Sequence, residues 1–475
     1  MKKVTKILSV FLIFVTLALS FSACDSVDKE FYDVSDLELL GEMAEIHINT
    51  DNADVSDTDD YTTCSVSVTN CQEKYGLDGI AAGIRLRGNS TRYVDKKAYR
   101  IKFDKKQNLL GLNEGQKFKS WVLLADYYDP SMVRNSTAFF IGQGLLEDNW
   151  YCSDYTYVEV YLNGEYNGVY LLAEQQQINE GRIDINEVDE GYTGVDIGYL
   201  LECIGEGVAL DKYRLELTDR RCETQISSQR TYEIKNDYYA EEQADFIYNY
   251  LNDVFYVIYH AIYNGQFYTL CSDYGVGGKY EIVASADTDA YNCISRVFDV
   301  EAAVNMYVLS ETAMNMDVCN SFFIYVDYSA SGNKKLTIAA PWDFDFAFGN
   351  AEVFPEMMNT SDYYSSNMLH VVDEMTNPWY VLLAKADFFN EMAANRWKEV
   401  YESVMLKALT HIKQVTFSYE QQFQRNYAKW DTLGSTTMWL QSEKTNKSFK
   451  TQADAAKFVY KFLKRRIEWL NTQWA

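Results

Sequence analysis

The strongest constraint on the fold is a change in the spacing of apolar residues partway along the chain. Up to about residue 175, short segments alternate between apolar and polar side chains, as half-buried β-strands do. Beyond about residue 240, apolar residues recur at every third or fourth position, which is the spacing of one buried face of an α-helix. The sequence therefore predicts an α+β protein in which a β-rich part precedes a mainly helical part.

Individual elements follow from these two spacings. We predict strands at 43–49, 63–69, 80–87 and 96–106, and a hairpin at 158–175 that turns at Asn163-Gly164, a dipeptide that favours two-residue turns. We predict helices at 130–146, 241–263, 300–314, 388–409 and 453–474. Two further strands, 321–326 and 335–340, interrupt the helical part and form a second hairpin.

Composition argues against two classes of function. Lysine and arginine together number 43 and aspartate and glutamate 69, so the formal net charge is −26. A chain this acidic lacks the broad basic face that a nucleic acid requires, and we expect no nucleic-acid partner. The four histidines are nowhere spaced as in zinc hydrolases, which argues against a zinc enzyme.

The N-terminus predicts export from the cytoplasm. Residues 1–23 combine a lysine-bearing start, an apolar stretch and small residues at the end, as a signal peptide does. Ser22-Ala23-Cys24 resembles the cleavage site of bacterial lipoproteins. We predict a protein anchored through lipid on Cys24 to the outer face of the bacterial cytoplasmic membrane, with residues 24–35 as an acidic tether and with no other membrane contact. Secretion without lipid is the alternative.

The cysteines leave the disulfide pattern open. Eight cysteines remain besides Cys24, and an even number outside the cytoplasm permits disulfides. Cys64–Cys71 is the preferred pair, because a disulfide there would close a short loop between two predicted strands. Buried free thiols are the alternative.

Oxygen-bearing side chains gather around the second hairpin. Asp317 and Asn320 precede its first strand, and Asp343 and Asp345 follow its second. Because a hairpin returns both of its ends to the same edge, we expect these side chains to lie close together. Carboxylate and amide oxygens suit a magnesium ion. We refer to Asp343-Phe344-Asp345 as the DFD segment.

A basic strand precedes this site in the chain. In the 96–106 strand, Arg100 and Lys102 share the face opposite to the apolar residues. Phosphoryl transfer needs metal ions, a carboxylate that accepts the hydroxyl proton, and a strand-borne cation that holds the nucleotide. The order of basic strand, helix, hairpin, Asp–Asn loop and DFD segment follows that of a protein kinase.

Six segments together resemble the CotH family of spore-coat-type atypical kinases. They are RLRGNST (85–91), KKAYRIKFDKKQNLLGL (96–112), WVLLADYYDPSMVRN (121–135), VYLNGEYNGVYLLAEQ (160–175), NMDVCNSFFIY (315–325) and PWDFDFAFGN (341–350). The resemblance extends from about residue 43 to Trp397. Several motifs in one order make it more specific than any single motif.

The resemblance implies a two-lobed, protein-kinase-like fold, with a β-rich N-lobe over 36–177 and a mainly helical C-lobe over 178–475. It also implies binding of ATP and Mg²⁺, and phosphate transfer to serine or threonine of extracytoplasmic or coat-type proteins. The chain lacks the Gly-x-Gly-x-x-Gly loop and the His-Arg-Asp sequence of ordinary kinases. The phosphates must therefore be held by other residues.

The resemblance also implies roles for particular residues. Asp317 matches the family's catalytic aspartate and Asp343 its metal-binding aspartate, while Asn320 and Asp345 are further metal candidates from their places at the hairpin. The nucleotide-site candidates are Lys102 and Arg100, on the basic strand, and Arg87, Asn89, Arg134 and Glu174, at other motif positions.

Two alternatives remain open at this point. The first is a non-catalytic surface or envelope interaction protein on a kinase-like scaffold, favoured because ATP is scarce outside the membrane. The second is a metal-dependent glycosyltransferase that uses Asp343 and Asp345 as its Asp-x-Asp motif, favoured by an aromatic content of 15%. Against the second, no nucleotide-sugar binding α/β pattern precedes the motif.

Overall fold

The computed structural model describes residues 26–146, 149–204, 214–216, 229–272, 280–366 and 377–475. The predicted signal peptide, 1–23, and Cys24 lie outside these ranges. None of the helices in the described ranges is long and apolar enough to cross a membrane.

The first seven strands close into a barrel in the order β1-β2-β3-β4-β5-β7-β6. The strands are β1 (Ala44–Asn49), β2 (Thr62–Thr69), β3 (Leu77–Leu86), β4 (Tyr99–Gln107), β5 (Phe118–Leu124), β6 (Tyr155–Leu162) and β7 (Glu165–Glu174). Neighbouring strands are antiparallel, except that β1 and β6 pair in parallel and so close the sheet. The predicted turn is confirmed: Asn163 and Gly164 both have positive φ between β6 and β7.

Alternation along each strand divides the barrel residues between two cores. Ile84, Ile101 and Leu123 point inward and fill the barrel with apolar side chains. Val122 and Leu171 point outward and join the core that the helices form. The barrel is therefore packed inside and is also covered by helices on the β5 and β7 side.

The predicted two-lobed, protein-kinase-like architecture is wrong. The β-rich part is a closed seven-stranded barrel, which differs from an open N-lobe sheet. The closing contact joins strands more than a hundred residues apart, and the alternation of side chains contains no information about that pairing. The α+β class itself is correct, since strands dominate the first part and helices the second.

The second part contains two smaller sheets. One has the order β14-β13-β8-β10-β9 and the other pairs β11 with β12. Their strands are β8 (Gly198–Ile204), β9 (Arg214–Glu216), β10 (Gln229–Ile234), β11 (Tyr268–Ser272), β12 (Tyr280–Ala284), β13 (Phe322–Asp327) and β14 (Thr337–Ile338). The predicted pairing of the 321–326 and 335–340 segments is confirmed, because Ile324 of β13 lies opposite Ile338 of β14.

Helices form the rest of the described chain. They are α1 (26–32), α2 (Arg134–Leu146), α3 (Glu241–Tyr259), α4 (Ala290–Ile294), α5 (Val300–Ala313), α6 (Pro378–Leu383), α7 (Asp387–Val400), α8 (Leu406–Ser418), α9 (Glu420–Lys429), α10 (Glu443–Asn446) and α11 (Gln452–Trp474). Helix α5, which leads into the Asp317 loop, is joined to α11 by a fully buried ion pair between Glu311 and Arg466, at 2.8 Å.

Helix α1 lies within the segment predicted as a tether, 24–35, and packs onto the C-terminal helices. Phe31 is fully buried, and its ring lies 5.4 Å from the rings of both Phe417 and Tyr460. The Tyr460 hydroxyl donates a hydrogen bond to Glu30, at 2.6 Å. Residues 26–32 are therefore an integral part of the fold.

The preferred Cys64–Cys71 disulfide is wrong. Both side chains are free thiols, and Cys64 points into the barrel. Strand β2 extends from Thr62 to Thr69, so the two cysteines lie on and just beyond one strand instead of flanking a short loop. Five residues of extended strand span about 17 Å, much more than the roughly 4–7 Å between the Cα atoms of a disulfide.

We expect Phe31→Ala to lower the free energy of unfolding by about 3–5 kcal/mol, because it leaves a cavity in a fully packed aromatic contact. Chemical denaturation of the purified protein measures the change. Leu39→Ala, at a residue that is 57% exposed, is the matched control and should change stability by less than about 0.5 kcal/mol. Equal stability of wild type and Phe31→Ala would show that α1 is not an integral part of the fold.

Candidate functional site

The β13–β14 pair brings Asp317 and Asp343 together. Helix α5 ends at Ala313 and is followed by Met314, which adopts the left-handed conformation; a short 3₁₀ turn over Met316–Cys319 then carries Asp317. The chain returns along β14, and Asp343 follows with a φ of +61°. A non-glycine residue rarely adopts this conformation, so surrounding contacts must hold Asp343 in place.

Two neighbouring side chains provide those contacts. The Ser321 hydroxyl donates to Oδ2 of Asp343, at 3.0 Å. The side-chain amide of Asn315 donates to the backbone carbonyl of Asp343, also at 3.0 Å, and its oxygen accepts from the backbone N–H of Asp317, at 3.2 Å. Asn315 therefore connects the two loops that carry the aspartates.

The two carboxylates interact electrostatically. Burial raises the pKa of Asp317 to about 8, and the negative charge of Asp343 adds to the rise, whereas a hydrogen bond from Asn320 opposes it. A carboxylate with a raised pKa next to a second carboxylate is stabilised in its charged form by a cation. The surroundings of Asp317 and Asp343 therefore favour a bound cation.

A cavity of about 20 Å³ lies beside Asp317, with walls that also include Asn315, Ser321 and Trp342. Its volume suits one water-sized ligand. Within the described part of the chain, no group of three or more histidine, cysteine, aspartate or glutamate side chains is arranged to hold a metal ion. Mg²⁺ commonly takes one or two carboxylates and completes its shell with phosphate oxygens and water, and Asp317 and Asp343 fit that mode.

The outer face of β3 and β4 carries four basic residues. They are Arg85 and Arg87 at the end of β3 and Arg100 and Lys102 on β4, and they alternate with residues that point into the barrel. The register places Arg85 directly opposite Arg100. We call this set of four residues the cationic face.

Arg100 has an excess of positive neighbours. Burial lowers the pKa of its guanidinium, and the charges of Arg85, Arg87 and Arg182 lower it further, while the Tyr61 phenol acts in the opposite sense. Among the described residues, the buried Nε atoms of Arg85 and Arg100 have no hydrogen-bond partner. Like charges directly opposite each other destabilise a sheet, by up to about 1 kcal/mol. An anion on the cationic face would offset the repulsion between Arg85 and Arg100.

Arg87 joins the cationic face to the carboxylates. Its guanidinium carbon lies 5.3 Å from the centroid of the Trp342 ring. Trp342 directly precedes the DFD segment in the sequence. Burial lowers the pKa of Arg87, whereas the nearby carboxylates of Asp343, Glu202 and Asp345 raise it. The basic and acidic parts of the site are therefore continuous.

Two residues predicted for the nucleotide site, Arg134 and Glu174, form ion pairs inside the protein. Arg134 is fully buried, forms an ion pair with Asp129, and donates from Nε to the backbone carbonyl of Ala347, at 2.9 Å. Glu174 is also fully buried and accepts from Nε of Arg182, at 2.9 Å. Both side chains are therefore paired inside the protein, and their predicted nucleotide contacts stay predictions.

The remaining predicted residues differ in their accessibility. Lys102 is exposed, with its ammonium 5.8 Å from the centroid of the Tyr61 ring. Asn89 is exposed in the turn that follows β3. Asp345 is buried, and its Oδ1 accepts a hydrogen bond from the Asn135 amide, at 2.5 Å.

Sequence reasoning missed four residues that shape the site: Arg85, Asn315, Ser321 and Asn135. All four lie inside segments that carry the family resemblance, within two positions of a predicted site residue. The available signal was the alternation that places Arg85 on the face of Arg87. For Asn315, Ser321 and Asn135 the side-chain contacts become visible only in three dimensions.

A cationic strand face that leads to a pair of carboxylates is typical of proteins that bind phosphate groups together with a divalent cation. Comparison with known families agrees with this class. The CotH family, described as CotH kinase protein, matches residues 84–272 and 280–470. Because the match covers more than half of the chain, the protein belongs to the CotH kinase family, whose members are kinase-like proteins of the spore-coat type. A search of the curated proteins found no match.

We expect Arg100→Met to weaken binding of inorganic tripolyphosphate about ten-fold or more, because a hydrogen bond to a charged group contributes about 1.5–3 kcal/mol. The variant should be at least as stable as wild type without an anion, since it loses the repulsion from Arg85. Thermal unfolding with and without tripolyphosphate measures both effects.

Arg465→Met is the control for that experiment, because Arg465 is an exposed arginine on α11 and the change in charge is the same. It should leave the stabilisation by tripolyphosphate unchanged. Equal stabilisation of wild type and Arg100→Met by tripolyphosphate would exclude the cationic face as the anion site.

Proposed function

We propose that this CotH-family protein is a phosphotransferase that moves the γ-phosphate of ATP to a serine or threonine hydroxyl of another protein. The observation that carries the proposal is the continuity between the cationic face and the carboxylates, through Arg87 above Trp342. A nucleotide bound across both parts of the site would place its phosphates against the cationic face, with the γ-phosphate next to Asp317 and Asp343. Phosphoryl transfer depends mainly on such positioning and charge neutralisation.

The arginines of the cationic face support the proposed nucleotide site. Arginine binds phosphate oxygens through charge-assisted hydrogen bonds in a planar fork. Arg85 lies directly opposite Arg100, and burial and the neighbouring positive charges lower the pKa of Arg100. Phosphate oxygens on this face would offset the repulsion between these like charges.

The geometry of the two aspartate loops supports the proposed magnesium site. Asp343 is the proposed magnesium ligand, with Asn320 and Asp317 next to it, and Ser321 fixes its carboxylate. Magnesium, when bound, neutralises charge on the phosphates during transfer. Asn315 holds the two aspartate loops at a fixed separation, which the alignment of acceptor and phosphate requires.

Asp317 is the proposed general base. In the transfer, the acceptor oxygen forms a bond to the γ-phosphorus, the bond from the γ-phosphorus to the oxygen of ADP breaks, and the hydroxyl proton passes to the Asp317 carboxylate. The hydrogen bond from Asn320 orients this carboxylate. The proposed base and the proposed metal ligand are therefore distinct residues, one before β13 and one after β14, at the same end of this strand pair.

We expect Asp317→Asn to lower the rate of phosphate transfer by about 10²- to 10⁴-fold, the usual contribution of a general base. Affinity for ATP should remain close to that of wild type, because the base contacts the acceptor hydroxyl more than the nucleotide. Incubation with labelled ATP, magnesium and either a serine-rich acceptor or the protein itself measures transfer, and calorimetry measures affinity.

Asp343→Asn is the matched variant, since it also converts one aspartate of the pair into its amide. It should weaken binding of MgATP. Wild type that binds ATP but transfers no phosphate to itself, to water or to envelope extracts would favour the non-catalytic scaffold. Wild type that binds no nucleotide would exclude the kinase activity.

The proposal places this activity outside the cytoplasm, on a protein anchored through lipid on Cys24. It rests on the signal-peptide pattern of residues 1–23 and on the small residues before Cys24. Helix α1, described over 26–32, lies close to Cys24 in sequence and packs against α11, so the lipid would hold the folded domain close to the membrane.

We expect Cys24→Ser to release the protein from the membrane, because the thiol that would carry the lipid is absent. Cell fractionation and immunoblotting locate the protein. Persistence of Cys24→Ser in the membrane pellet would show that another contact anchors it.

A further inference from the structure

The Asn135 side chain forms three hydrogen bonds, two that join α2 to the DFD segment and one to the loop after β5. Its amide nitrogen donates to Oδ1 of Asp345, at 2.5 Å, and to Oδ1 of Asp126, at 2.9 Å. Its oxygen accepts from the backbone N–H of Phe344, at 2.8 Å. Asn135 is buried, and both the nitrogen and the oxygen of its amide group form hydrogen bonds within the protein.

These bonds orient the two aspartates of the DFD segment differently. Asp345 is buried and accepts from Asn135, while Asp343 is half-buried and accepts from Ser321 beside Asp317. The conformation of the segment thus directs Asp343 toward the Asp317 loop and Asp345 toward α2. The two carboxylates have different neighbours even though a single residue separates them.

Further contacts fasten the same segment to the loop before α2. The Asn350 side chain donates to the backbone carbonyls of Asp345, at 2.7 Å, and of Tyr128, at 2.9 Å. Arg134 donates to the carbonyl of Ala347, at 2.9 Å. Asn135 is the member of this set that bonds both the backbone and a carboxylate of the DFD segment.

We propose that Asp345 is a positioning residue, held through Asn135, and that Asp343 is the metal ligand of the DFD segment. This inference rests on the proposed magnesium and ATP site and assigns different roles to the two aspartates of the DFD segment. The Asp345 carboxylate fixes the segment by accepting from Asn135, and Asn135 in turn fixes Phe344 and hence the conformation of Asp343. Asp345 therefore affects cation binding through the position of Asp343.

The first test compares two isosteric variants by electron paramagnetic resonance of Mn²⁺ in the presence of ATP. Asp345→Asn keeps an oxygen that accepts from Asn135, so its Mn²⁺ affinity should stay within about three-fold of wild type. Asp343→Asn should lose affinity by about 100-fold or more, beyond the 10- to 100-fold that loss of a supporting contact commonly causes. Loss of Mn²⁺ binding in Asp345→Asn equal to that in Asp343→Asn would overturn the inference.

The second variant tests the amide itself and remains informative if Asp345→Asn does not fold. Asn135→Ser removes the bonds to Asp345, Phe344 and Asp126 without touching a proposed metal ligand. It should weaken Mn²⁺ binding by about 10- to 100-fold and should raise the KM for MgATP while circular dichroism stays that of wild type. Folded Asn135→Ser with wild-type Mn²⁺ affinity would overturn the positioning role.

The wild-type measurement separates this inference from the proposed function. If wild type binds no Mn²⁺ with ATP, the proposed function fails and the assignment of Asp345 fails with it. If wild type binds Mn²⁺ and Asp345→Asn does not, the proposed function stands and the inference alone is wrong.

Discussion

The candidate site depends on a set of buried polar contacts between the region around the start of α2 and the loop that follows β14. Arg134 pairs with Asp129 and donates to Ala347, and Asn135 bonds Phe344. Removing one partner of a buried ion pair commonly costs about 3–5 kcal/mol, because a charge is left without compensation. These contacts therefore fix the loop after β5 against the loop that carries Asp343 and Asp345. They thereby hold the cationic face and the carboxylates in a fixed relative position.

Local sequence pattern predicted the elements of this fold better than their arrangement. The alternation around Ile101 correctly indicated a strand, and Asn163-Gly164 correctly indicated a tight turn. Both signals are local, since one depends on which side chains are apolar and the other on two residues with positive φ. The pairing of β1 with β6 and of β8 with β13 joins distant segments. Neither strand of such a pair contains a local signal for its partner.

The candidate site was predictable in part for the same reason. Asp317 and Asp343 flank a hairpin whose pairing is local, so their proximity followed from the sequence. Asn135 and Asp126 have polar side chains that in a sequence look like ordinary loop or helix-start residues, and only the fold shows that they are buried together. Arg134 lies in one of the segments that carry the family resemblance, but its position in the sequence contains no information about the ion pair that it forms with Asp129.

A crystal structure with magnesium and a non-hydrolysable ATP analogue tests the central claim most directly. The account predicts triphosphate oxygens within hydrogen-bonding distance of Arg100 and Arg87 on the cationic face. It also predicts one magnesium ion between the phosphates and Asp343, and an open approach from the γ-phosphate to Asp317. A nucleotide bound elsewhere on the protein, with the cationic face unoccupied, would contradict the claim that this face and the two aspartates form one catalytic site.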